Sequence, residues 1–304
     1  MDPLSAIFSS MSVQQALVDR LEVTAPWGFH STSGPEIRFI LMLRGSAVLE
    51  TKSLSQPLSL RGGDLFILFG GDYSLANEAS SQRVHCEALV FTRIGSVIQF
   101  GGGGVPTTLA AGRFVIDQVK AGPILKVLPA SIHLQLDQKR THSFQSVMEL
   151  ISLETEHPGL ASEEMINRLC EMLFIHAIRA YTQDLTQNQG GWLAGISDGQ
   201  LGQVIQLLHA HLHKNWTVDS MAASAGMSRS AFAARFKLIV GQSPLEYLTQ
   251  WRIHRASVLI RKTDSNIGKI AKGVGYASES AFTKVFKKVM QTTPSEFRRA
   301  ATEG

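Results

Sequence analysis

The chain has only two cysteines in its 304 residues, Cys86 and Cys170, and neither belongs to a CxxC pair. A disulfide scaffold and a zinc cluster are therefore poorly supported, and a reducing cytoplasm is the simplest setting. No apolar run reaches the ~18 residues that a membrane-crossing helix needs, so no membrane partner is expected. Met1 to Met11 holds no Lys or Arg ahead of its short apolar stretch, which argues against a secretory signal. Gly101 to Gly104 lacks the Gly-Lys-Ser/Thr continuation of a phosphate-binding loop. It reads as a flexible turn, since glycine tolerates positive φ. Charged residues are also sparse, at 18% against 44% hydrophobic. That balance excludes a disordered chain and fits one large or two ordinary globular domains.

What charge there is lies unevenly. Residues 197–304 carry 15 Lys and Arg against seven Asp and Glu, a balance of +8, which leaves 14 against 18, or −4, for residues 1–196. A basic last third on an acidic remainder points to a polyanionic partner for that third alone. A merely solvated charged surface is the plainer alternative.

Residues 15–115 read as strands and turns. Ile37 to Glu50 is β-rich, Leu58 to Leu60 and Leu65 to Phe69 are short apolar strands, and Val84 to Phe91 reads as a further strand. Arg61-Gly62-Gly63-Asp64 and Gly70-Gly71-Asp72 are turn signals between them. This spacing suggests a β-sandwich or barrel. After Pro129 the spacing becomes helical, over Phe144 to Glu156 and Ser162 to Thr182. In the second segment Met165, Leu169, Met172, Leu173 and His176 share one face, which suits a dimer seam or an internal core about equally. Asp184 to Gly191 is polar and reads as a linker.

From Ser197 onward the pattern is all helical, and it repeats. Met221-Ala-Ala-Ser-Ala-Gly226-Met-Ser228 leads into Arg229 to Lys237; Ile270-Ala-Lys-Gly-Val-Gly275-Tyr276 leads into Ala277 to Lys287. The offset is 49 residues at the glycines and 50 at the phenylalanines beyond them. Each copy is a helix, a glycine turn and a second helix. Phe232/Phe236 and Phe282/Phe286 stand four apart and should plug a core. At 100° per residue the opposite faces hold Ser230, Ala233, Ala234 and Lys237 in one copy, and Ser280, Thr283, Lys284 and Lys287 in the other. Those faces are free to enter a major groove. Ser243-Pro244-Leu245-Glu246 and Thr293-Pro294-Ser295-Glu296 are matched capping boxes with proline at the first helical position. The first opens a helix to about Thr263, roughly 30 Å long at 1.5 Å per residue. Successive major-groove faces lie about 34 Å apart, so this connector has the length to set both readers on one side of a duplex.

These residues resemble the AraC/XylS family of transcriptional regulators from about Trp192 to Arg299. The most specific segments are Ala222 to Phe236, Gly241-Gln242-Ser243-Pro244, Trp251-Arg252, and Val274-Gly275-Tyr276 to Phe286. The resemblance implies seven helices in two subdomains, with base-reading positions at Ser230, Ala233, Ala234, Glu279, Ser280 and Lys284. With Arg229, Lys237, Thr283 and Lys287 these form the expected DNA-binding set. Ala234 departs from the polar or basic residue common there, and alanine can touch only a thymine methyl. The N-terminal half resembles the cupin-type sensor domain of a branch of that family, on Gly63-Asp64 to Leu68, Gly101 to Gly104, Gly112-Arg113-Phe114, Pro123-Ile124-Leu125 and Leu128-Pro129.

A cupin enzyme would need several His and a carboxylate around a metal. His30 and Glu36 stand where such ligands could begin, but no His-x-His accompanies them, Ser74 occupies the place of a later ligand, and only His85 remains. Ala111 stands where some sensor relatives carry a cysteine, which weakens a two-cysteine redox switch. Cys86 reads as a buried small hydrophobe unless its thiolate is stabilised, and His133 and His142 have no partner spacing.

The expected fold is therefore α+β: a cupin-like β-barrel or sandwich (residues 1–135), a helical dimerisation or linker region (136–196), and an all-α domain with two helix-turn-helix units (197–304). The expected function is that of a sequence-specific, DNA-binding transcriptional activator, with no catalytic residue, metal or cofactor. Its expected partners are an operator in double-stranded DNA, RNA polymerase, a small-molecule or redox effector, and a second copy of the chain. The alternatives are a cupin enzyme fused to a DNA-targeting module and an adaptor that works without nucleic acid.

Overall fold

The stretch Ile37 to Met42, apolar but for Arg38, is buried at every position, on both faces of its strand, and this dictates the layers of the first unit. A strand covered on both sides needs a partner layer on each. The structure, a computed structural model, describes residues 13–32, 34, 36–94, 97–116, 125, 128–136, 138–184 and 192–302. The chain divides into two compact units, one built on residues 12–117 and 128–181 and the other on residues 182–304.

Among the described residues of the first unit there are twelve strands: β1 Val13–Thr24, β2 Gly28–Ser31, β3 Ile37–Arg44, β4 Ser46–Thr51, β5 Leu58–Arg61, β6 Asp64–Phe69, β7 Tyr73–Ala76, β8 Val84–His85, β9 Arg93–Ile94, β10 Val97–Gly101, β11 Pro106–Ile116 and β12 Ser131–Gln135. They form two mixed sheets, in the orders β12-β6-β3-β11-β1-β10-β9 and β5-β4-β7-β2-β8. Ile40, Met42, Phe66 and Leu68 from the first sheet meet Phe29, Leu49, Leu60 and Leu75 from the second in one core. The alternate residues of β3 and β6, namely Phe39, Leu41, Leu65 and Ile67, face the other way. There they meet Phe144, Met148, Leu173 and Phe174 of two helices, α1 (Gln138–Glu156) and α2 (Ser162–Asp184). Phe174 packs edge-on to Phe114 at 5.8 Å. The period-2 alternation of each strand thus feeds two separate apolar layers.

Several expectations need correction. Val84 to Phe91 is a strand only over Val84–His85; Cys86–Thr92 is a 3-10 helix. The His85 ring accepts the Glu87 N–H at 3.3 Å and starts that turn, while Leu89 alone of the run is buried and Phe91 is 92% exposed. Gly101 to Gly104 has the positive φ expected of glycine, +132° at Gly101 and +84° at Gly103, but the turn is held rather than free: the amides of Gly102, Gly103 and Gly104 donate to Thr24 O, Thr24 Oγ1 and Ala25 O. A Cβ at Gly101 would lie 1.9 Å from Thr24 O, so glycine is required there by close backbone approach. The shared face of α2 splits: Leu169 and Leu173 are buried within the unit, while Met165 and Met172 are exposed. Met1 to Met11, Pro123-Ile124 and residues 185–191 of the expected linker lie outside the described residues.

The second unit is helical: α3 Trp192–Ser197, α4 Leu201–Ala210, α5 Val218–Ser224, α6 Arg229–Val240, α7 Pro244–Lys262, α8 Ile267–Gly273, α9 Glu279–Met290 and α10 Pro294–Thr302. No helix among the described residues is long and apolar enough to cross a membrane.

The two cysteines sit in different surroundings. Cys170 is fully buried on α2, and burial pushes its thiol up to about 12; Cys86 is only half-buried. Ellman titration of the native chain should therefore find one reactive thiol, and the Cys86→Ser variant none until denaturant is added. Fast labelling of Cys170 in the native chain would contradict the placement of α2.

Candidate nucleic-acid interface

Each repeat begins with a capped short helix. Thr217 Oγ1 accepts the Ser220 N–H and the Thr217 amide in turn donates to Ser220 Oγ, closing a box on α5. Asn266 accepts the Gly268 N–H at the start of α8. The chain then reverses at Gly226, φ +64°, and at Gly275, φ +92°. Ser228 and Ser278 cap the second helices, α6 and α9, through the N–H of Ala231 and of Ala281, both at 3.3 Å. These hydroxyls satisfy amides that a helix end leaves unpaired.

Within α6 the rings of Phe232 and Phe236 are fully buried, 5.5 Å apart; Phe282 and Phe286 of α9 repeat this at 5.5 Å. The opposite faces are open. On α6, Arg229, Ser230, Ala234, Lys237 and Leu238 are exposed and Ala233 is half-buried; on α9, Glu279, Ser280, Lys284, Lys287 and Lys288 are exposed and Thr283 is half-buried. Every residue of the expected set thus lies on the solvent side of its helix or at its margin. Lys288 joins them although sequence reasoning passed over it; its own 100° step from Lys287 was the available signal.

Two members of the set lean back on the preceding helix. Arg229 Nη1 reaches Asp219 Oδ2 on α5 at 3.0 Å, with both side chains exposed. At the equivalent place of the second copy, Glu279 Oε2 lies so close over Gly268 that a Cβ there would stand 2.7 Å from it. Asp219 and Gly268 are themselves equivalent at the 49-residue offset. The first residue of each second helix therefore lies against the preceding helix of its copy, with an exposed ion pair in one copy and a close approach in the other.

The α6 helix of the first copy is also anchored from behind. Asp198 Oδ1 accepts the amides of Gln200 and Leu201 at the head of α4, and its Oδ2 takes Arg235 Nη2 at 2.7 Å. Burial opposes ionisation of this carboxyl, but the bonds from Leu201, Arg235 and Gln200 outweigh it and hold the group below the usual range. Both capping boxes expected from the sequence are present: Ser243 with Glu246, and Thr293 with Glu296.

Between the repeats runs α7, 19 residues or about 28 Å at 1.5 Å per residue. Tyr247, Leu248 and Trp251 are buried on its first half, where Tyr247 packs on Phe236. Ile253, Ala256 and Ile260 on its second half join Ile270, Val274, Phe282 and Phe286 in one cluster.

In the first unit, the ligand row expected of a metal enzyme is not assembled. His30 and His85 do come together, with ring centroids 5.1 Å apart. But His30 alternates with Phe29 of the core, so it projects off the other face of its sheet. Glu36 is taken by Arg113 at 2.6 Å and Arg38 at 3.1 Å. No group of three His, Cys, Asp or Glu is placed to hold a metal among the described residues. A cavity of about 180 Å³ in this unit is lined by Asp19, Arg38, Tyr73, Cys86 and Arg113, among others.

The chain matches a cupin family model over residues 2–183 and a helix-turn-helix domain model over residues 221–300. It is 30% identical, over 99% of both chains, to a putative AraC-like transcription regulator of Streptomyces lividans. It is 28% identical to the HTH-type transcriptional regulator AlkR of Acinetobacter baylyi, over 98% of this chain and 99% of that one. A solved structure of the DNA-binding domain of AdpA with a target DNA is similar over 34% of this chain and 93% of its own, at 30% identity and a TM-score of 0.33.

Two outcomes test this geometry. Gln291 ends α9 in the left-handed region, φ +59°, where the first copy has Gly241 at φ +85°. Gln291→Gly should raise the urea midpoint by the equivalent of ~0.5–1 kcal/mol, because the side chain's strain there exceeds what its bond to Lys288 O returns. An unchanged or lower midpoint would count against that backbone geometry. His209 of α4 bonds the Tyr247 hydroxyl at 2.7 Å and lies 4.2 Å from the Trp251 ring. Burial, helped by the charge of His254, lowers its pKa to about 3 from 6.5. The unfolded chain thus binds the proton first. Stability from the neutral ring is complete above pH 6.5 and is lost as the pH falls from there toward 3. By pH 5.5 the loss should be about 1 kcal/mol. The His209 ring resonances should stay neutral down to pH 4.5 in an NMR titration; a midpoint near 6.5 would refute the burial.

Proposed function

Because the chain belongs to the AraC-like transcription regulators, with a cupin domain followed by a helix-turn-helix domain, we propose that it reads an operator in double-stranded DNA by inserting α6 and α9 into major grooves. One observation carries the reading. Two equivalent helices, each pinned by a buried phenylalanine pair and capped by serine, leave their opposite faces open and are tied to one helix about 28 Å long. A major groove admits an α-helix, and polar and basic side chains on such a face are what base edges and phosphates accept.

The two readers contribute unequally. Lys284, Lys287 and Lys288 are exposed on α9, whereas on α6 Arg229 is paired with Asp219 and Arg235 with Asp198, which leaves Lys237 together with Ser230, Ala233 and Ala234. The second reader supplies most of the phosphate attraction and hydrogen bonding; at Ala233 and Ala234 the first is restricted to close contacts with methyl groups. In this division of labour residues 1–135 sense a signal, residues 136–196 couple or dimerise, and residues 197–304 read DNA. The protein acts as an activator in the cytoplasm, as a homodimer touching RNA polymerase. The signal is a small molecule or an oxidant, and the chain itself performs no catalysis. Such control requires that the signal bind two states of the protein unequally.

The test is a titration of the full chain on a duplex that it selects from a random-sequence library, against a scrambled duplex, across salt concentrations. Log affinity should fall steeply with log salt. Lys284→Ala should lower affinity for the selected duplex and reduce its ratio over the scrambled one, by about five- to a hundredfold for a base contact. A chain with no salt-dependent affinity would be an adaptor instead. A Lys284→Ala variant with an unchanged ratio would remove that residue from base reading.

A further inference from the structure

Arg252 sits in the middle of α7, and its contacts run to both repeats. Its Nε donates to Leu212 O at 2.8 Å and its Nη2 to Lys214 O at 2.7 Å. Both carbonyls lie in the loop between α4 and α5, in the first helix-turn-helix subdomain. That loop is itself pinned by Trp216, whose indole N–H donates to His211 O at 3.0 Å. On its other side the guanidinium stands over the Tyr276 ring, 5.8 Å from the centroid, in the turn of the second subdomain. It also fills the space beside Gly275. A Cβ there would lie 2.6 Å from Nη2, 2.9 Å from Cζ and 2.9 Å from Leu212 O. At Gly226, the equivalent turn of the first copy, a Cβ would meet nothing within 4 Å. Both glycines have positive φ, but only the second is also hemmed in by a neighbour from outside its own repeat.

The helical wheel accounts for this reach. Pro244, Tyr247, Leu248 and Trp251 define one buried face of α7, and Ile253, Ala256 and Ile260 another, roughly 165° round at 100° per residue. Arg252 falls about midway between them on the same wheel. It is thus the side chain at the seam where the two subdomains approach each other around their shared helix. A lysine could not do the same work, since one ammonium cannot present two donors in a fixed fork while stacking on a ring.

We propose that Arg252 is a positioning residue: it clasps the loop before α5 to the Gly275–Tyr276 turn, fixes the orientation of the two readers, and thereby sets the half-site spacing that the protein accepts. The proposal rests on the DNA-reading function above. It does not require Arg252 to touch DNA, and both cores remain complete without it.

The experiment uses the full chain, the duplex selected by the wild type, and the same duplex with two base pairs inserted between its half-sites. The wild type should lose at least tenfold in affinity on the insertion. Arg252→Ala should bind the selected duplex more weakly and discriminate against the insertion by threefold or less, with Arg252→Lys between the two. Amide exchange should quicken in Arg252→Ala at Lys214 to Trp216 and at Gly275-Tyr276, while α6 and α9 keep their protection. A wild-type spacing ratio in Arg252→Ala would overturn the proposal. So would loss of protection throughout α6 and α9, which would make Arg252 a general stabiliser. A wild type that selects no duplex would overturn the DNA-reading function itself, and the clasp's assigned purpose with it.

Discussion

The second unit depends on one constraint: a single helix, α7, belongs to two cores at once. Tyr247, backed by Trp251, closes the first over Phe236, and Ile253, Ala256 and Ile260 close the second over Phe282 and Phe286. A helix buried on two faces cannot slide or rotate to suit one bundle without opening the other, because close-packed interiors do not deform continuously. The rod therefore transmits position. Its length is set by the chain between two stops, the Ser243–Glu246 box at one end and Thr263 at the other, where the backbone leaves the helix. Leu259 O accepts both the amide and the hydroxyl of Thr263 at that end.

A comparable economy orders the first unit. Two apolar layers lie either side of β3 and β6, one between the sheets and one beneath α1 and α2. Polar chemistry is kept to the margins of these layers. Arg38 is nearly buried, yet its guanidinium bonds Gly71 O, Thr32 O and Glu36, so its charge is held by a carboxylate and two carbonyls. Asp19 is ion-paired with Arg93 even though burial raises its pKa. Such pairs keep a desolvated charge tolerable and fix local geometry, and that makes them poor candidates for metal ligands or catalytic acids.

How much of this could be read in the amino acids differs from element to element, for physical reasons. The phenylalanine pairs were legible because four-residue spacing can mean little else on a helix, and the capping boxes because their side chains bond within three residues. Signals of that kind are local. The 3-10 helix at Cys86–Thr92 was not legible, since a short apolar run does not distinguish a strand from a turn and the deciding bond is to a histidine ring. Nor was the packing of Gly101 to Gly104 against Thr24 and Ala25, where glycine serves close approach at 101, 102 and 104 as well as the positive φ of 101 and 103. Arg252 was visible only as part of a resembling segment. Its acceptors are backbone carbonyls 38 and 40 residues away, and a carbonyl carries no residue-type signal. The split of the α2 face between buried Leu169 and exposed Met165 likewise depends on where neighbouring strands happen to lie.

The inequality of the two readers and the rigidity of their connection bear on each other. Electrostatic attraction to phosphate is long-ranged and indifferent to sequence, whereas methyl and hydroxyl contacts act only at touching distance. On the proposed reading α9, with three exposed lysines, serves the first task and, through Lys284, the second as well, while α6, with alanines at Ala233 and Ala234, is confined to the second. A reader that attracts weakly gains from being carried to its groove by one that attracts strongly, because linkage converts its binding into an intramolecular event. That gain survives only if the carried helix arrives in register: on a flexible tether it would be divided among many wrong placements. On the proposed reading, small contact residues, concentrated charge and an inflexible shared helix are parts of one solution, in which α6 borrows affinity through the rod and adds close contacts to the attraction and base contact that α9 supplies.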